Sequence, residues 1–235
     1  MVFGKSCGNC GVRHTALCGV LADGALAPLA AMGQQRRLAR GETLIRAGER
    51  SRLCANVQRG LMKICHTNPA GQEVILGLLW PGDFVGTPFL DAGVAVHDVV
   101  AISPVSLCIF PQTAVERTMA DHPLMERQLL SRTLAELGQV RTALSRLARA
   151  TALARVAGFI AETAQRSDGG ASAAVRQIEL PLSRGEMADL LGLTIETVSR
   201  QMTRLKTARV IGLPGGRAVL IQDPDALAEA AEELT

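Results

Sequence analysis

The segment from residue 183 to residue 205 constrains the fold of this chain more than any other part of the sequence. Ser183 is followed three residues later by Glu186, an arrangement that satisfies two free backbone N–H groups at a helix start. Gly192 permits a tight turn, and Thr194 can cap a second helix. The segment therefore predicts a helix-turn-helix with one buried face on each helix. The residues expected on the buried faces are Met187, Leu190, Leu191, Val198, Met202 and Leu205.

A β-hairpin, or wing, is predicted directly after these helices. The apolar runs 210–213 and 217–221 flank a Pro-Gly-Gly turn. Six basic residues stand against three acidic ones between residues 183 and 217, so this part of the chain suits an anionic partner although the net charge is only +3. A winged helix-turn-helix reads duplex DNA with its second helix in the major groove. A helical hairpin that serves only packing is the alternative interpretation.

The start of the second helix carries residue types that recognise bases. Arginine binds guanine in the major groove, and glutamate accepts a hydrogen bond from cytosine. Arg200 and Glu196 are therefore candidates to contact base edges.

Residues 40–111 predict a small β-roll or barrel. Glycines recur between short runs of strand-forming residues, which is the pattern of strands joined by tight turns. The expected strands cover residues 42–45, 54–59, 61–67, 73–79 and 105–110.

A long helix is predicted after Pro123, reaching about residue 150, with a further helix over 152–165 and a flexible loop over 167–170. Apolar and small residues recur along the long helix in steps of three and four, the heptad pattern of a helix that pairs with another helix. We expect this seam to form a homodimer, and packing against the chain's own domain is the alternative. The seam comprises Leu130, Thr133, Leu137, Val140, Leu144, Leu147 and Thr151.

The order of these segments predicts an α+β chain of 235 residues with two modest cores and a connector. We expect an N-terminal arm over 1–20, a β-roll over 21–118, a dimerisation helix over 119–150 and a winged helix-turn-helix over 151–235. The sequence has no secretion signal and no apolar run long enough to cross a membrane, so a soluble cytoplasmic protein is expected. Because it also lacks catalytic triads, phosphate loops and paired carboxylates, we expect no enzyme.

Six cysteines in a cytoplasmic chain favour metal or redox chemistry over disulfides, because the cytosol keeps thiols reduced. Cys7, Cys10 and Cys18 form a C-x2-C-x7-C pattern in a glycine-rich arm. Thiolates bind soft metals, so this pattern predicts an iron–sulfur cluster or a zinc ion, the latter with another cysteine or His14 as fourth ligand. Unliganded thiols are the third interpretation.

The residues from Leu182 to Arg200, LSRGEMADLLGLTIETVSR, resemble the helix-turn-helix of the Crp/Fnr regulators, and of their Fnr and FixK branch in particular. The order of β-roll, long helix and winged domain is also that of the family. The resemblance implies a jelly roll of the cyclic-nucleotide-binding type, a dimerisation helix and a C-terminal winged helix-turn-helix. It further implies a dimer that binds duplex DNA and acts on RNA polymerase.

The resemblance assigns roles to residues of the second helix. Glu196, Ser199 and Arg200 match the family's Glu-x-x-Ser-Arg set, which reads a TTGAT half-site in that branch. Contacts with the DNA backbone are expected from Ser183, Thr194, Thr197, Arg204 and Arg217.

The resemblance also assigns ligands to the cysteine-rich arm. Oxygen-sensing Fnr-like proteins have an N-terminal cysteine trio and a fourth cysteine late in the β-roll, which together hold a four-iron four-sulfur cluster and control anaerobic or microaerobic genes. Zinc or a thiol redox switch is the alternative. Cys54 and Cys65 are expected to be structural. The matching ligands in this chain are Cys7, Cys10, Cys18 and Cys108.

Other features of the family are not expected here. Segment 81–97 has no Lys or Arg to bind a phosphate, so no cyclic nucleotide is expected. His66 and His97 are isolated histidines of a β-roll, which argues against haem. Some oxygen sensors of this family carry an acidic residue in the dimer seam that opposes dimerisation. Val140 occupies that position here, so we expect the metal-free chain to remain a dimer.

Overall fold

The structure is a computed structural model that describes residues 7, 10–88, 94–167 and 176–233. The chain divides into two units, Met1–Leu137 and Gly138–Thr235, and the boundary lies within the long helix of the chain. Each unit is described separately below. The loop predicted over residues 167–170 lies mostly outside the described residues.

In the N-terminal unit the described strands form two four-stranded antiparallel sheets, ordered β1-β8-β3-β6 and β2-β7-β4-β5. Apolar side chains from both sheets, among them Val57, Leu107, Met62 and Val99, pack into one buried core between them. The strands are β1 (Gln34–Leu38), β2 (Thr43–Ile45), β3 (Leu53–Arg59), β4 (Met62–Thr67), β5 (Glu73–Leu79), β6 (Phe84–Val85), β7 (Asp98–Ala101) and β8 (Val105–Pro111).

A second core covers the outer face of the sheet that contains β3 and β8. Alternate residues of a strand point to opposite faces, so Cys54 and Phe110 face outward while Ala55 and Leu107 face the first core. A 3-10 turn (Leu17–Val20) and two helices, α1 (Asp23–Met32) and α2 (Gln112–Asp121), pack on this face. The outer face of the sheet is therefore covered by part of the N-terminal arm together with α1 and α2.

The predicted β-roll is confirmed, and each of the five expected strands is present with ends that agree to within one residue. Strands β1, β6 and β7 and helices α1 and α2 were not predicted. Four of the five residues of β1 are exposed, so this strand lacks the alternation that identifies strands in sequence. Helix α1 contains Pro28, and because proline is disfavoured in helix interiors, the sequence did not indicate a helix here.

The long helix α3 (Pro123–Arg149) begins after α2 has ended, so residue 119, the expected start of the dimerisation helix, lies in α2. The predicted apolar seam residues of α3, from Leu130 to Leu147, are exposed in the single chain. Leu134, which was not predicted to belong to the seam, is exposed as well. Thr151 was wrongly placed in the seam, because α3 ends at Arg149. Instead, the Thr151 hydroxyl accepts a hydrogen bond from the Ala154 N–H group at 3.1 Å and caps the next helix.

Among the helices that the structure describes, none has the length and hydropathy needed to cross a membrane.

The C-terminal unit contains the predicted helix-turn-helix and wing. Helices α5 (Arg184–Leu191) and α6 (Ile195–Thr207) are followed by the hairpin β10 (Ile211–Gly215) and β11 (Ala218–Ile221). The hairpin extends into a three-stranded sheet through β9 (Arg176–Glu179), which pairs with β11 and was not predicted. Helix α4 (Ala152–Ser167) precedes these elements, and α7 (Pro224–Ala231) follows them.

Candidate DNA-reading helix and cysteine pocket

The start of α5 has the predicted capping box. The Glu186 N–H group donates to the Ser183 hydroxyl at 3.2 Å, and the Ser183 N–H group donates to the Glu186 carboxylate at 2.8 Å. The helix ends at Gly192, whose φ of 62° lies in the left-handed region that glycine tolerates. Met187, Val198, Met202 and Leu205 are buried as predicted, whereas Leu190 and Leu191 are only half-buried.

Helix α6 presents the predicted base-reading residues at its N-terminal end. Glu196 and Arg200 are exposed, and Ser199 between them is half-buried. Hydrogen bonds from its own backbone N–H group and from Thr194 lower the pKa of Glu196, so this side chain is a stable carboxylate. Arg200 lies 3.5 Å from the Thr197 hydroxyl. The end of the helix therefore combines one hydrogen-bond acceptor with one cationic donor.

Some of the residues predicted to contact the DNA backbone also form hydrogen bonds within the protein, and others are exposed. The hydroxyls of Ser183 and Thr194 both cap helices, since Thr194 accepts from the Thr197 N–H group at 3.2 Å. Arg204 is exposed on α6. The guanidinium of Arg217 donates to the Pro181 carbonyl oxygen at 3.0 Å and forms an ion pair with Glu179 at 3.3 Å. Arg217 therefore helps to hold the wing sheet together.

Arg155 joins the end of α3 to the helix-turn-helix and was not predicted. Its guanidinium donates to the carbonyl oxygens of Leu147 at 2.8 Å, Ala150 at 3.2 Å and Leu191 at 3.2 Å. Its three acceptors are backbone carbonyls of two different helix ends, which no local sequence pattern shows. These bonds fix the C-terminal end of the seam helix against the turn of the DNA-reading element.

In the N-terminal unit, the four cysteines expected to be ligands line one small and mostly apolar pocket. Cys7, Cys10 and Cys18 come from the arm, and Cys108 comes from β8. The pocket is completed by residues of the arm, α1 and the outer face of the sheet, including Arg13, Leu26, Asn56, Gln58 and Phe110. Among the described residues, no three His, Cys, Asp or Glu side chains are grouped as they would be around a single metal ion.

Tight turns hold the arm over this pocket. The N–H group of Arg13 donates to the Cys10 carbonyl oxygen at 3.1 Å, and that of Leu21 donates to the Cys18 carbonyl oxygen at 3.2 Å. Gly19 is required beside Cys18, because a Cβ atom there would lie 2.2 Å from the Arg13 carbonyl oxygen. The local backbone thus brings the cysteines of the arm to the sheet.

Burial and the neighbouring thiols raise the pKa values of Cys7, Cys18 and Cys108. Burial is the main cause that raises the pKa of Cys18 to about 11 and that of Cys108 to about 12. Burial also raises the pKa of Cys7, with Cys10 adding to the effect. Arg13, which forms an ion pair with Asp23, opposes the shift at Cys7 and Cys18. A soft cation in the pocket would meet thiols that lose their protons on binding.

Polar side chains that were not predicted contact the arm. The amide nitrogens of Asn56 and Gln58 lie 3.8 Å from the Sγ atoms of Cys18 and Cys10, respectively. Arg132 of α3 donates to the carbonyl oxygens of Thr15 and Gly82. Asn56 and Gln58 occupy alternate positions of a mostly apolar strand, and this pattern is the sequence signal that could have identified them.

The two remaining cysteines lie outside the lining of this pocket. Cys54 is fully buried in the second core, and Cys65 is buried on β4. Burial is the main cause that raises the pKa of each thiol to about 12. Both environments are those of packed, protonated thiols.

Comparisons with known proteins agree with both halves of this architecture. Residues 154–230 match the Crp-like helix-turn-helix domain, and residues 35–122 match the cyclic nucleotide-binding domain. The transcriptional activator protein FnrL of Cereibacter sphaeroides is 36% identical over 231 residues, which cover 96% of this chain and 91% of FnrL. A probable transcriptional activator of Rhizobium leguminosarum bv. viciae is 36% identical over 222 residues, 94% of this chain and 91% of that protein. This chain belongs to the Crp/Fnr family.

The Crp/Fnr fold extends over most of the chain. The structure of FixK2 from Bradyrhizobium japonicum has a TM-score of 0.75 at 26% identity and covers 84% of this chain and 96% of its own. As a Crp/Fnr protein, the chain is a DNA-binding transcriptional regulator, and its relatives are not enzymes. The match to a cyclic nucleotide-binding domain describes the β-roll, and the absence of a bound nucleotide stays a prediction from segment 81–97.

Proposed function

We propose that this Crp/Fnr regulator is an oxygen-responsive transcriptional activator in which Cys7, Cys10, Cys18 and Cys108 hold a four-iron four-sulfur cluster. The observation that carries the proposal is that these four thiols, three from the arm and one from β8, line the same pocket. Four thiolates are the usual ligand set of such a cluster. When bound, the cluster would supply the reactivity towards oxygen.

The surroundings of the pocket fit this cofactor. The walls are mostly apolar, which limits the access of water to the sulfurs. Arg13 provides a positive charge next to Cys7 and Cys18, and this favours their thiolate forms. Two amide groups direct hydrogen-bond donors at the sulfurs. The positive charge and the donors favour a group with negatively charged sulfur ligands, and the apolar walls shield that group from water.

The arm also has a direct connection to the proposed dimerisation helix. Arg132 on α3 binds the backbone of Thr15 in the arm and of Gly82 in the turn before β6. A Cβ atom at Gly82 would lie 2.5 Å from the Thr15 hydroxyl, so arm and turn are in close contact. A change in how the cysteines are ligated thus reaches the backbone that Arg132 holds, and through it α3.

We infer that the regulator acts as a homodimer on palindromic DNA with TTGAT-type half-sites and contacts RNA polymerase there. The apolar seam of α3 supports the dimer, because its five large apolar residues are exposed on one chain together with Leu134. The supporting feature for the DNA site is the match of Glu196, Ser199 and Arg200 to the base-reading set of the Fnr and FixK branch. Two symmetric recognition helices read a palindrome.

DNA binding before and after air tests this function. Protein purified without oxygen should bind a palindromic TTGAT duplex more tightly than a scrambled duplex, and exposure to air should reduce the affinity for the TTGAT duplex. Protein with Cys108→Ser is the control, and it should bind weakly under both conditions. Equal affinity of the wild type before and after air would contradict oxygen sensing. Equal affinity for both duplexes would contradict the half-site.

A further inference from the structure

The outer face of β3 carries two amide side chains that point at the arm cysteines. The Asn56 Nδ2 atom lies 3.8 Å from the Cys18 Sγ atom, and the Gln58 Nε2 atom lies 3.8 Å from the Cys10 Sγ atom. Both residues line the cysteine pocket. Asn56 also pairs in register with Cys108 of β8, so it lies beside a third cysteine on the same face.

Protein stability alone does not account for an amide at position 56. Asn56 is 4% exposed and lies two residues after Cys54, on a face whose other buried residues are apolar. A buried polar group costs free energy unless it is hydrogen-bonded. Among the described residues, the Asn56 Oδ1 atom has no hydrogen-bond partner, and the Nδ2 atom has the Cys18 sulfur. An apolar side chain would pack here without leaving an unsatisfied acceptor. The feature that an apolar side chain could not replace is the hydrogen bond from the Asn56 amide nitrogen to Cys18.

We propose that Asn56 and Gln58 are positioning residues that donate N–H···S hydrogen bonds to Cys18 and Cys10 and so set the reduction potential and air stability of the metal centre. This inference rests on the proposed function. Hydrogen bonds to cysteine sulfurs are one of the features that tune iron–sulfur potentials. Donors stabilise the more negatively charged state of the centre, because they neutralise part of the charge on its sulfurs.

The two N–H donors favour the reduced state of the centre. A cluster held by Cys7, Cys10, Cys18 and Cys108 would supply the electron that dioxygen takes up in air to give superoxide. Removing a donor destabilises the state that holds this electron. The reduction potential should therefore fall, and loss of the cluster in air should become faster.

The experiment compares Asn56→Leu and Gln58→Met with the wild type, all purified without oxygen. Each substitution keeps the approximate size of the side chain and removes the N–H donor. Gln58 is half-buried, so its variant keeps the test decisive if Asn56→Leu does not fold. Gln34→Met, at an exposed position of β1 in the same sheet, is the matched control.

Three readouts are measured on protein with equal iron and sulfide content. They are the midpoint potential, the Fe–S(Cys) stretching frequencies in resonance Raman spectra, and the rate at which visible absorbance is lost in air. In both variants we expect a lower potential, shifted frequencies and a loss rate raised by about ten-fold or more, and we expect none of these in Gln34→Met. If both variants match the wild type in all three readouts, the inference is wrong although the cluster exists. A wild type without iron and sulfide would overturn the proposed function and this inference with it.

Discussion

The guanidinium of Arg132 on the seam helix donates a hydrogen bond to the backbone carbonyl oxygen of Thr15, three residues before Cys18. A second nitrogen of the same side chain donates to the Gly82 carbonyl oxygen at 3.2 Å. One side chain therefore joins the cysteine arm, a turn of the β-roll and the proposed dimerisation helix.

Replacing Arg132 by glutamine should uncouple the arm from α3. Iron and sulfide content should stay normal, because Arg132 does not line the cysteine pocket. The ratio of DNA affinities without oxygen and after air should fall by about five-fold or more, the usual lower range of coupling between sites. Fluorescence anisotropy with a TTGAT duplex measures this ratio. Arg127→Gln, which removes an exposed arginine of the same helix, should leave it unchanged. An unchanged ratio in Arg132→Gln would refute this route.

The fold could be predicted from the sequence wherever the pattern is local. Glycine turns marked the strands, and the Ser183 and Glu186 pair marked the start of α5. Strand β1 could not be found because its exposed polar residues do not alternate with apolar ones. Thr151 fits the heptad spacing, but α3 ends at Arg149, and the Thr151 hydroxyl caps α4 instead.

The candidate site was predictable only in part. Cysteines were found because their residue type and spacing carry the chemistry. Arg132 and Arg155 were not found, since both bind backbone carbonyl oxygens, which every residue offers whatever its side chain. The partner of Arg132 at Thr15 also lies far away in the sequence, so only the folded chain shows the contact.

Serine substitution should separate ligands from structural cysteines. Cys7→Ser, Cys10→Ser, Cys18→Ser and Cys108→Ser should each reduce iron and sulfide to a small fraction of the wild-type content, because each removes one thiolate from a set of four. Cys65→Ser is the control, since Cys65 is buried on β4 away from the pocket, and Cys54→Ser should likewise retain the cluster. Full iron content in Cys108→Ser together with loss in Cys65→Ser would reverse the assignment.

Base and phosphate contacts on α6 should respond differently to substitution. Arg200→Ala should lose about 1 to 3 kcal/mol of discrimination between a matched and a mismatched half-site. Arg204→Ala should weaken binding to both sites alike and reduce the dependence of affinity on salt. Titrations of both duplexes at several salt concentrations distinguish the two. Equal losses on both duplexes for Arg200→Ala would show that this residue does not read a base.

The seam of α3 should hold the dimer without a cluster. Val140 is 54% exposed on the isolated chain and lies between Leu137 and Leu144, so two copies would bury apolar side chains here. Metal-free wild type should therefore sediment mainly as a dimer at micromolar concentration. Val140→Asp should be monomeric, because facing carboxylates in a buried seam are costly. Gln139→Asp, on an exposed position of the same helix outside the predicted seam, should stay dimeric. A monomeric metal-free wild type would contradict the prediction.

The most direct test of the account is the metal content and visible spectrum of the wild-type protein, purified without oxygen and then exposed to air. We predict a brown protein with about four iron and four sulfide per chain and a broad visible absorbance that disappears in air. A colourless protein that contains about one zinc ion per chain and is unchanged by air would contradict the central claim.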